Sequence, residues 1–130
     1  MGAAAMRGTL LSLLLLLAAP ALASVADGAR KWREGDWAAA VAEWRAPAAA
    51  GDPEALFNMG QAYRLGRGVP ESPEIALDYY RRASARGHVA ATANLGISLF
   101  QEGRKAESLS YLRSEEHTSE LQSQFHLVCR

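Results

Sequence analysis

The sequence predicts an all-α fold, a solenoid built from antiparallel helical hairpins. Three observations predict it. Alanine and leucine are abundant while valine and isoleucine are scarce, which favours helix because Ala and Leu lose little side-chain freedom there. The middle of the chain resembles itself at a spacing of roughly 34 to 36 residues, the range of helical-hairpin repeats. Capping residues recur at the ends of the predicted helices.

The internal repeat is seen when the chain is compared with itself. A displacement of about 36 residues aligns the following pairs: Trp44 with Tyr80, Gly51 with Gly87, Ala55 with Ala91, Asn58 with Asn94, and Gly60 with Gly96. A displacement of about 68 residues aligns Trp44 with Leu112. Two repeats of about 34 residues account for it, so the basic repeat is shorter than the displacement of about 36. The central unit therefore carries an insertion, Gly66–Ser72, that the outer units lack. Its glycines suit a tight turn between helices.

Capping residues set the helix boundaries. Asp52 and Ser72 each precede a proline, which is favoured in the first turn because its missing N–H has no partner there; Asp36 can cap in the same way. The predicted helices are Asp27–Glu34, Trp37–Ala49, Pro53–Leu65, Pro73–Arg86, Val89–Glu102 and Arg104–Leu112. A glycine inside a helix costs roughly 1 kcal/mol against alanine. Because Gly60 and Gly96 recur at one repeat position, we expect paired helices to approach closely there.

One stretch carries a specific pattern: Ala55-x-x-Asn58-x-Gly60-x-x-Tyr63-x-x-Gly66-x-Gly68, then Ala76-x-x-Tyr79-Tyr80-x-x-Ala83-x-x-x-Gly87. It resembles the Sel-one-like repeat (SLR), a relative of the tetratricopeptide repeat. The units on either side look more like plain tetratricopeptide units. The resemblance covers most of residues 24–112 and implies a solenoid of the tetratricopeptide/SLR type. It implies a role in protein binding without naming the partner.

The N-terminal residues 1–23 have the pattern of a secretory signal peptide. Arg7 is followed by the apolar run Leu10–Ala19, and Ala21-Leu22-Ala23 places small residues two apart, which predicts cleavage after Ala23. An uncleaved anchor is the alternative, but the apolar run is short for a membrane span. The Ala- and Arg-rich composition suggests a GC-rich bacterium, so we expect a periplasmic or secreted protein.

The C-terminal residues 113–130 are not expected to belong to the fold. Arg113–Ser123 resembles, codon by codon, the translation of a common short-read sequencing adapter. The alternative is a genuine polar tail; either way we expect loose order. We also expect the stack to lack a closing helix, which would leave four leucines unsealed: Leu95, Leu99, Leu109 and Leu112.

Composition and motifs argue against several kinds of function. Fourteen Lys and Arg balance fourteen Asp and Glu, which gives no reason to expect nucleic acid or an anionic membrane as the partner. The only cysteine is Cys129. His88 follows Gly87 at a predicted helix start and lacks neighbours suited to metal binding or catalysis. No nucleophile, base and orienting group can be assembled, so we expect a protein that is not an enzyme and needs no cofactor or metal.

Five residues are candidates for partner binding: Trp32, Trp37, Asn58, Arg64 and Asn94. Stacked hairpins present a concave surface that can hold an extended or helical segment. Trp32 and Trp37 either seal the first hairpin or anchor a partner, whereas Trp44, in the repeat register, is expected in the core. The central arginines form either a solvated face or a patch for an acidic peptide or an anionic envelope polymer: Arg64, Arg67, Arg81, Arg82 and Arg86.

The function expected from these features is that of an exported adaptor, scaffolding a protein complex in the bacterial envelope. The partner would be an unidentified protein or peptide held in the helical groove. The alternative is a module that binds a cell-wall or capsular polysaccharide. Exposed aromatic residues with acidic or amide side chains would favour the glycan, while apolar groove residues flanked by Arg and Asn would favour the peptide.

Overall fold

A computed structural model describes residues 24–113, and within them the chain forms six helices and no strand. The first, α1, occupies residues 24–33 of the described part. The others are α2 (Trp37–Ala49), α3 (Pro53–Leu65), α4 (Pro73–Ala85), α5 (Val89–Gln101) and α6 (Lys105–Leu112). Each helix from α2 onward packs against the next. The all-α helical solenoid is confirmed; the proposed signal segment and residues 114–130 lie outside the described residues.

The helices begin where the capping residues predict. Asp36, Asp52 and Ser72 each accept a hydrogen bond from the backbone N–H three residues later, at 3.3, 2.9 and 3.3 Å. The turn before α3 is closed by Gly51, whose φ of 87° lies in the left-handed region. There the N–H of Asp52 donates to the carbonyl of Pro47 at 2.9 Å, so the end of one helix sets the start of the next.

Some predicted helix ends are wrong by a few residues. Arg86 and Glu102 are C-caps that follow α4 and α5 rather than their last residues. Arg104 precedes α6 as its N-cap and makes no side-chain capping bond. Residues 24–26 are already helical, ahead of the predicted start at Asp27. These ends depend on backbone hydrogen bonds that the side chains do not specify.

Close helix approach at glycine is confirmed, and it recurs in all three hairpins of the described chain. A Cβ atom built on Gly60 would lie 2.6 Å from Cε1 of Tyr80, and one on Gly96 would lie 2.7 Å from Cγ of Leu112. In the first hairpin, Gly28 meets the indole of Trp44 in the same way. In each hairpin, the first helix therefore presents a glycine to a large side chain of the second helix.

The Gly66–Ser72 insertion packs back onto the start of α2. Gly68, with φ of 75°, lies so close to the backbone of Trp37 that an added Cβ would be 2.4 Å from its carbonyl oxygen. The guanidinium of Arg67 lies 4.8 Å from the centre of the Trp37 ring, a cation–π distance. The insertion therefore ties the central hairpin to the preceding one.

The last hairpin is better sealed than the sequence suggests. Leu95 and Leu99 are fully buried, so the expectation that they stay open is wrong. Helix α6 covers them, and the buried hydroxyl of Ser108 donates to the carbonyl of Gly96 at 2.8 Å. Leu109 alone among the four leucines is exposed, at 37%. No helix within residues 24–113 is long and apolar enough to cross a membrane.

Candidate partner-binding groove

A cavity of about 320 Å³ opens between the first arms of two neighbouring hairpins, α1 and α3. Trp44 of α2 forms its floor. We call this cavity the α1/α3 groove, and the side chains that define it are Trp32, Arg33, Phe57, Asn58, Gln61 and Arg64. It is large enough for a short stretch of a polymer chain.

Aromatic packing shapes one wall of this groove. The ring of Trp32 lies 5.4 Å from that of Trp44 and 6.4 Å from that of Trp37, tilted against both. Trp44 is 2% exposed, which confirms it as a core residue, and its indole N–H donates to the carbonyl of Val25 at 3.1 Å. Across the groove, the Phe57 ring stacks on His88 at 4.5 Å.

Arg64 is held in place before any partner arrives. Its Nε and Nη2 atoms donate to Oε1 of Gln61 at 3.1 and 2.9 Å. Nε also lies 3.3 Å from the hydroxyl oxygen of Tyr80. These bonds leave Nη1 without an intramolecular acceptor among the described residues. The guanidinium is thus oriented by neutral groups and keeps donors for a ligand.

The groove carries positive charge that nothing within it neutralises. Arg33 and Arg64 both line it, whereas no Asp or Glu of the described chain does. Neither arginine forms an ion pair with any residue in 24–113. Elsewhere the pattern is different: Lys31 pairs with Glu43 and Arg81 pairs with Glu107. The groove is therefore electrostatically suited to an anionic group.

The buried Tyr80 organises the next hairpin. Its side chain is fully buried, and burial raises the pKa of its phenol above 10.0, against the opposing effect of hydrogen bonds from Arg64 and Asn94. The phenol therefore stays protonated at neutral pH. It donates to Oε1 of Gln61 at 3.1 Å. Asn94, a candidate partner-binding residue, lies near this hydroxyl.

A second cavity of about 340 Å³ lies beside the groove, between the C-terminal ends of α3 and α5. Arg64 lines both cavities. Unlike the α1/α3 groove, the second cavity includes the carboxylates of Glu71 and Glu102. The positive charge is consequently concentrated on the side that faces α1.

The five sequence candidates do not share one site. Trp32, Asn58 and Arg64 line the α1/α3 groove. Trp37 lies at its edge, 39% exposed, between the Trp32 ring and Arg67. Asn94 does not line the groove and lies near the Tyr80 hydroxyl.

Sequence reasoning missed five groove residues: Ala29, Arg33, Phe57, Gln61 and Leu65. Gln61 could have been found, since Asn58, Gln61 and Arg64 follow each other at spacings of about three residues, which places them on one helix face. Phe57 lies on the same face of α3, one helical turn before Gln61. Arg33 belongs to α1 and joins these residues only in the folded stack, for which the sequence offers no signal.

His88 is a helix cap, as the sequence predicts. Its Nδ1 accepts from the N–H of Ala91 at 3.1 Å, which places the proton of the neutral ring on Nε2. Nε2 lies 3.0 Å from a carboxylate oxygen of Glu54. Within residues 24–113 there is no cluster of His, Cys, Asp or Glu that could hold a metal ion.

Comparison with known proteins places a Sel1 repeat at residues 53–88. The repeat spans α3, the insertion and α4. Sel1 repeats are tetratricopeptide-like helical units, and as a class they mediate protein interactions. An exopolysaccharide production negative regulator of Rhizobium leguminosarum bv. viciae is 37% identical over 62 residues, which are 48% of this chain. The chain spans only 23% of that relative's length.

Proposed function

We propose that this protein is an exported scaffold of the bacterial envelope that holds a segment of a partner protein in the α1/α3 groove. The observation that carries the proposal is the groove itself, where an aromatic wall, an oriented arginine and a half-buried asparagine meet in one cavity. The Sel1 repeat supports a protein as the partner. The signal-like residues 1–23 support export. The relative's name, a regulator, fits a chain that acts through other proteins.

A polysaccharide is the alternative occupant, and the groove suits it less well. Sugars need an exposed aromatic face to stack on. Here one face of Phe57 is stacked on His88, and Trp32 tilts against Trp37 and Trp44. The oxygen of Gln61 already accepts three hydrogen-bond contacts. Besides these contacts, the groove offers the guanidinium groups of Arg33 and Arg64 and the amide of Asn58. These groups favour a peptide.

Site-specific photocrosslinking in the native host tests the scaffold proposal. A benzoylphenylalanine replaces Leu65, which lines the groove and is 40% exposed. The matched control carries it at Asp78 on α4, whose side chain is 67% exposed. We expect discrete protein adducts, identified by mass spectrometry, from position 65 and not from position 78. They should disappear in the double variant Asn58→Ala, Arg64→Ala. Equal adducts from both positions, or adducts indifferent to the double variant, would refute a groove-bound partner.

A further inference from the structure

The first hairpin has an ion pair where the central hairpin has stacked aromatic rings. In the central hairpin the rings of Tyr63 and Tyr79 stack with their centres 5.7 Å apart. The alignment that superposes the close-approach glycines and the buried aromatic residues of the two hairpins places Lys31 on Tyr63. It also places Glu43 on Tyr79 and on Tyr111 of the last hairpin. Nζ of Lys31 and Oε1 of Glu43 form a salt bridge, so a carboxylate stands where the repeat otherwise has an aromatic ring.

Ser24, the first residue of α1 that the structure describes, also binds Glu43. Pro47 lies within α2 and has no N–H to offer the carbonyl of Glu43, one helical turn earlier. The hydroxyl of Ser24 donates to that carbonyl instead. The same hydroxyl lies 3.3 Å from Oε2 of the Glu43 carboxylate. The two carboxylate oxygens thus face different residues, Lys31 through Oε1 and Ser24 through Oε2.

The first turn of α1 is held against α2 at a defined place. The indole N–H of Trp44 donates to the carbonyl of Val25 at 3.1 Å, and Gly28 lies against the same indole. The backbone nitrogen of Ser24 is three bonds from its own hydroxyl oxygen and therefore about 3 Å from it. Because that hydroxyl touches the carboxylate of Glu43, the nitrogen lies within roughly 6 Å of the carboxylate.

The charge of this nitrogen depends on the cleavage that the sequence predicts after Ala23. A signal peptidase hydrolyses the bond between Ala23 and Ser24 with one water molecule. The oxygen of the water ends in the carboxylate of Ala23. Both hydrogens end on the nitrogen of Ser24, which changes from a neutral amide to an ammonium.

Glu43 is suited to receive that ammonium. The hydrogen bond and charge of Lys31 hold the pKa of Glu43 below 4.5, with smaller contributions from Ser24 and Arg30 and against the effect of desolvation. The carboxylate is therefore ionised at neutral pH, and Oε2 can accept another hydrogen bond besides that of the Ser24 hydroxyl. The helix dipole opposes a positive charge at the start of α1. Asp27 in the first turn faces Arg30, so the carboxylate of Glu43 is the group placed to hold the ammonium.

We propose that Glu43 is the docking site of the α-ammonium group that cleavage after Ala23 leaves on Ser24. The ammonium joins the existing salt bridge on the free side of the carboxylate and locks the first turn of α1 onto α2. Because α1 forms one side of the α1/α3 groove, removal of residues 1–23 strengthens that side. This inference rests on the export part of the proposed function and goes beyond it, since processing also completes the first hairpin.

The pKa of the Ser24 amine tests the salt bridge directly. The chain from Ser24 to Arg130 is released from a cleavable fusion, isotope-labelled on serine, and titrated by NMR at Ser24. An unpaired α-amine has a pKa of about 7.7–8.0. We expect a pKa about 0.5–1 pH unit higher in the parent chain and an ordinary one in Glu43→Gln, because the carboxylate favours the charged form of the amine. Glu34→Gln is the matched control: it removes a carboxylate of the same hairpin that pairs with Arg30, and it should leave the pKa of the amine as in the parent.

Acetylation of the Ser24 amine gives a second measurement that leaves every side chain in place. We expect acetylation to lower the melting temperature by about 2–4 °C more in the parent than in Glu43→Gln, the effect of one partly exposed ion pair. The helix dipole acts on the amine in both chains, so its contribution cancels in this comparison. The difference should be full at neutral pH and disappear as the pH rises through the raised pKa of the folded amine, because the paired ammonium then loses its proton. A carboxylate that served only Lys31 would give the same acetylation effect in both chains.

N-terminal sequencing of protein from the envelope fraction separates this inference from export itself. A mature chain that begins at a residue other than Ser24 would overturn the inference and leave export standing. An ordinary amine pKa in the chain that begins at Ser24 would also overturn it, as would equal acetylation effects in the parent and Glu43→Gln. Protein adducts at position 65 together with any of these results would keep the scaffold and reject the docking of the ammonium on Glu43.

Discussion

Replacement of Gly60 by leucine should destabilise the protein by overpacking the central hairpin. A Cβ at position 60 would lie 2.6 and 2.7 Å from two carbon atoms of the Tyr80 ring, where ordinary carbon contacts are about 3.5–4.0 Å. The ring cannot easily withdraw, because it is fully buried and its hydroxyl is bound to Gln61 and Arg64. Overpacking of this kind costs about 1–3 kcal/mol, and more where no neighbour can shift.

Helix propensity opposes this cost and can be separated from it. Alanine and leucine both favour a helix interior over glycine by about 1 kcal/mol. Gly60→Ala should therefore lose less stability than Gly60→Leu, and the difference reports packing alone. Ala90→Leu, at an exposed position of α5, is the control for adding leucine. Thermal melts followed by circular dichroism should fall about 4–8 °C per kcal/mol lost. A parent-like melting temperature for Gly60→Leu would refute the close-approach argument.

The remaining predictions concern a cap, a salt bridge, local stability and processing. Asp52→Ala, which removes the capping bond to the N–H of Ala55, should cost about 1 kcal/mol in urea unfolding; no change would contradict it. Glu107→Gln removes a carboxylate whose pKa is held below 4.5, mainly by its hydrogen bond from Arg81. Its stability deficit against the parent should therefore persist above pH 4.5 and disappear as acid protonates the parent carboxylate, in melts across pH. Hydrogen exchange should be slow in α3 and α4 and fast in α6, which is short and lacks a side-chain cap; equal protection would contradict it. N-terminal sequencing of the envelope fraction should give Ser24 as the first residue, and an intact Met1 on cytoplasmic protein would contradict export.

The helices were predictable where side chains specify both ends. The bounds of α3 were predicted as observed because Asp52 and Pro53 start it and Gly66, at φ of 63°, stops it. The ends of α4 and α5 were placed one residue late, because Arg86 and Glu102 carry no chemical stop signal of their own. In those turns the only signal is the glycine that follows the cap. It marks the turn but does not indicate which residue before it makes the last helical hydrogen bond.

The groove was only partly predictable, because it depends on which helices become neighbours. The repeat register drew attention to Asn58, and the local charge drew attention to Arg64. Arg33 and Phe57 lie on different helices and meet only in the folded stack. Gly28 could have been found, because the displacement of about 68 residues that aligns Trp44 with Leu112 also aligns Gly28 with Gly96.

Equivalence in the repeat register does not mean equivalence in hydrogen bonding. Trp44 and Tyr80 are both large, aromatic and buried, so a hydrophobic pattern treats them alike. Their polar atoms differ, and each must find partners of matching type in the interior. The Trp44 N–H donates to the Val25 carbonyl, while the Tyr80 hydroxyl donates to Gln61 and accepts from Arg64. One core substitution between repeats thus changes the hydrogen-bond partners that the buried side chain requires, although the hydrophobic pattern is the same.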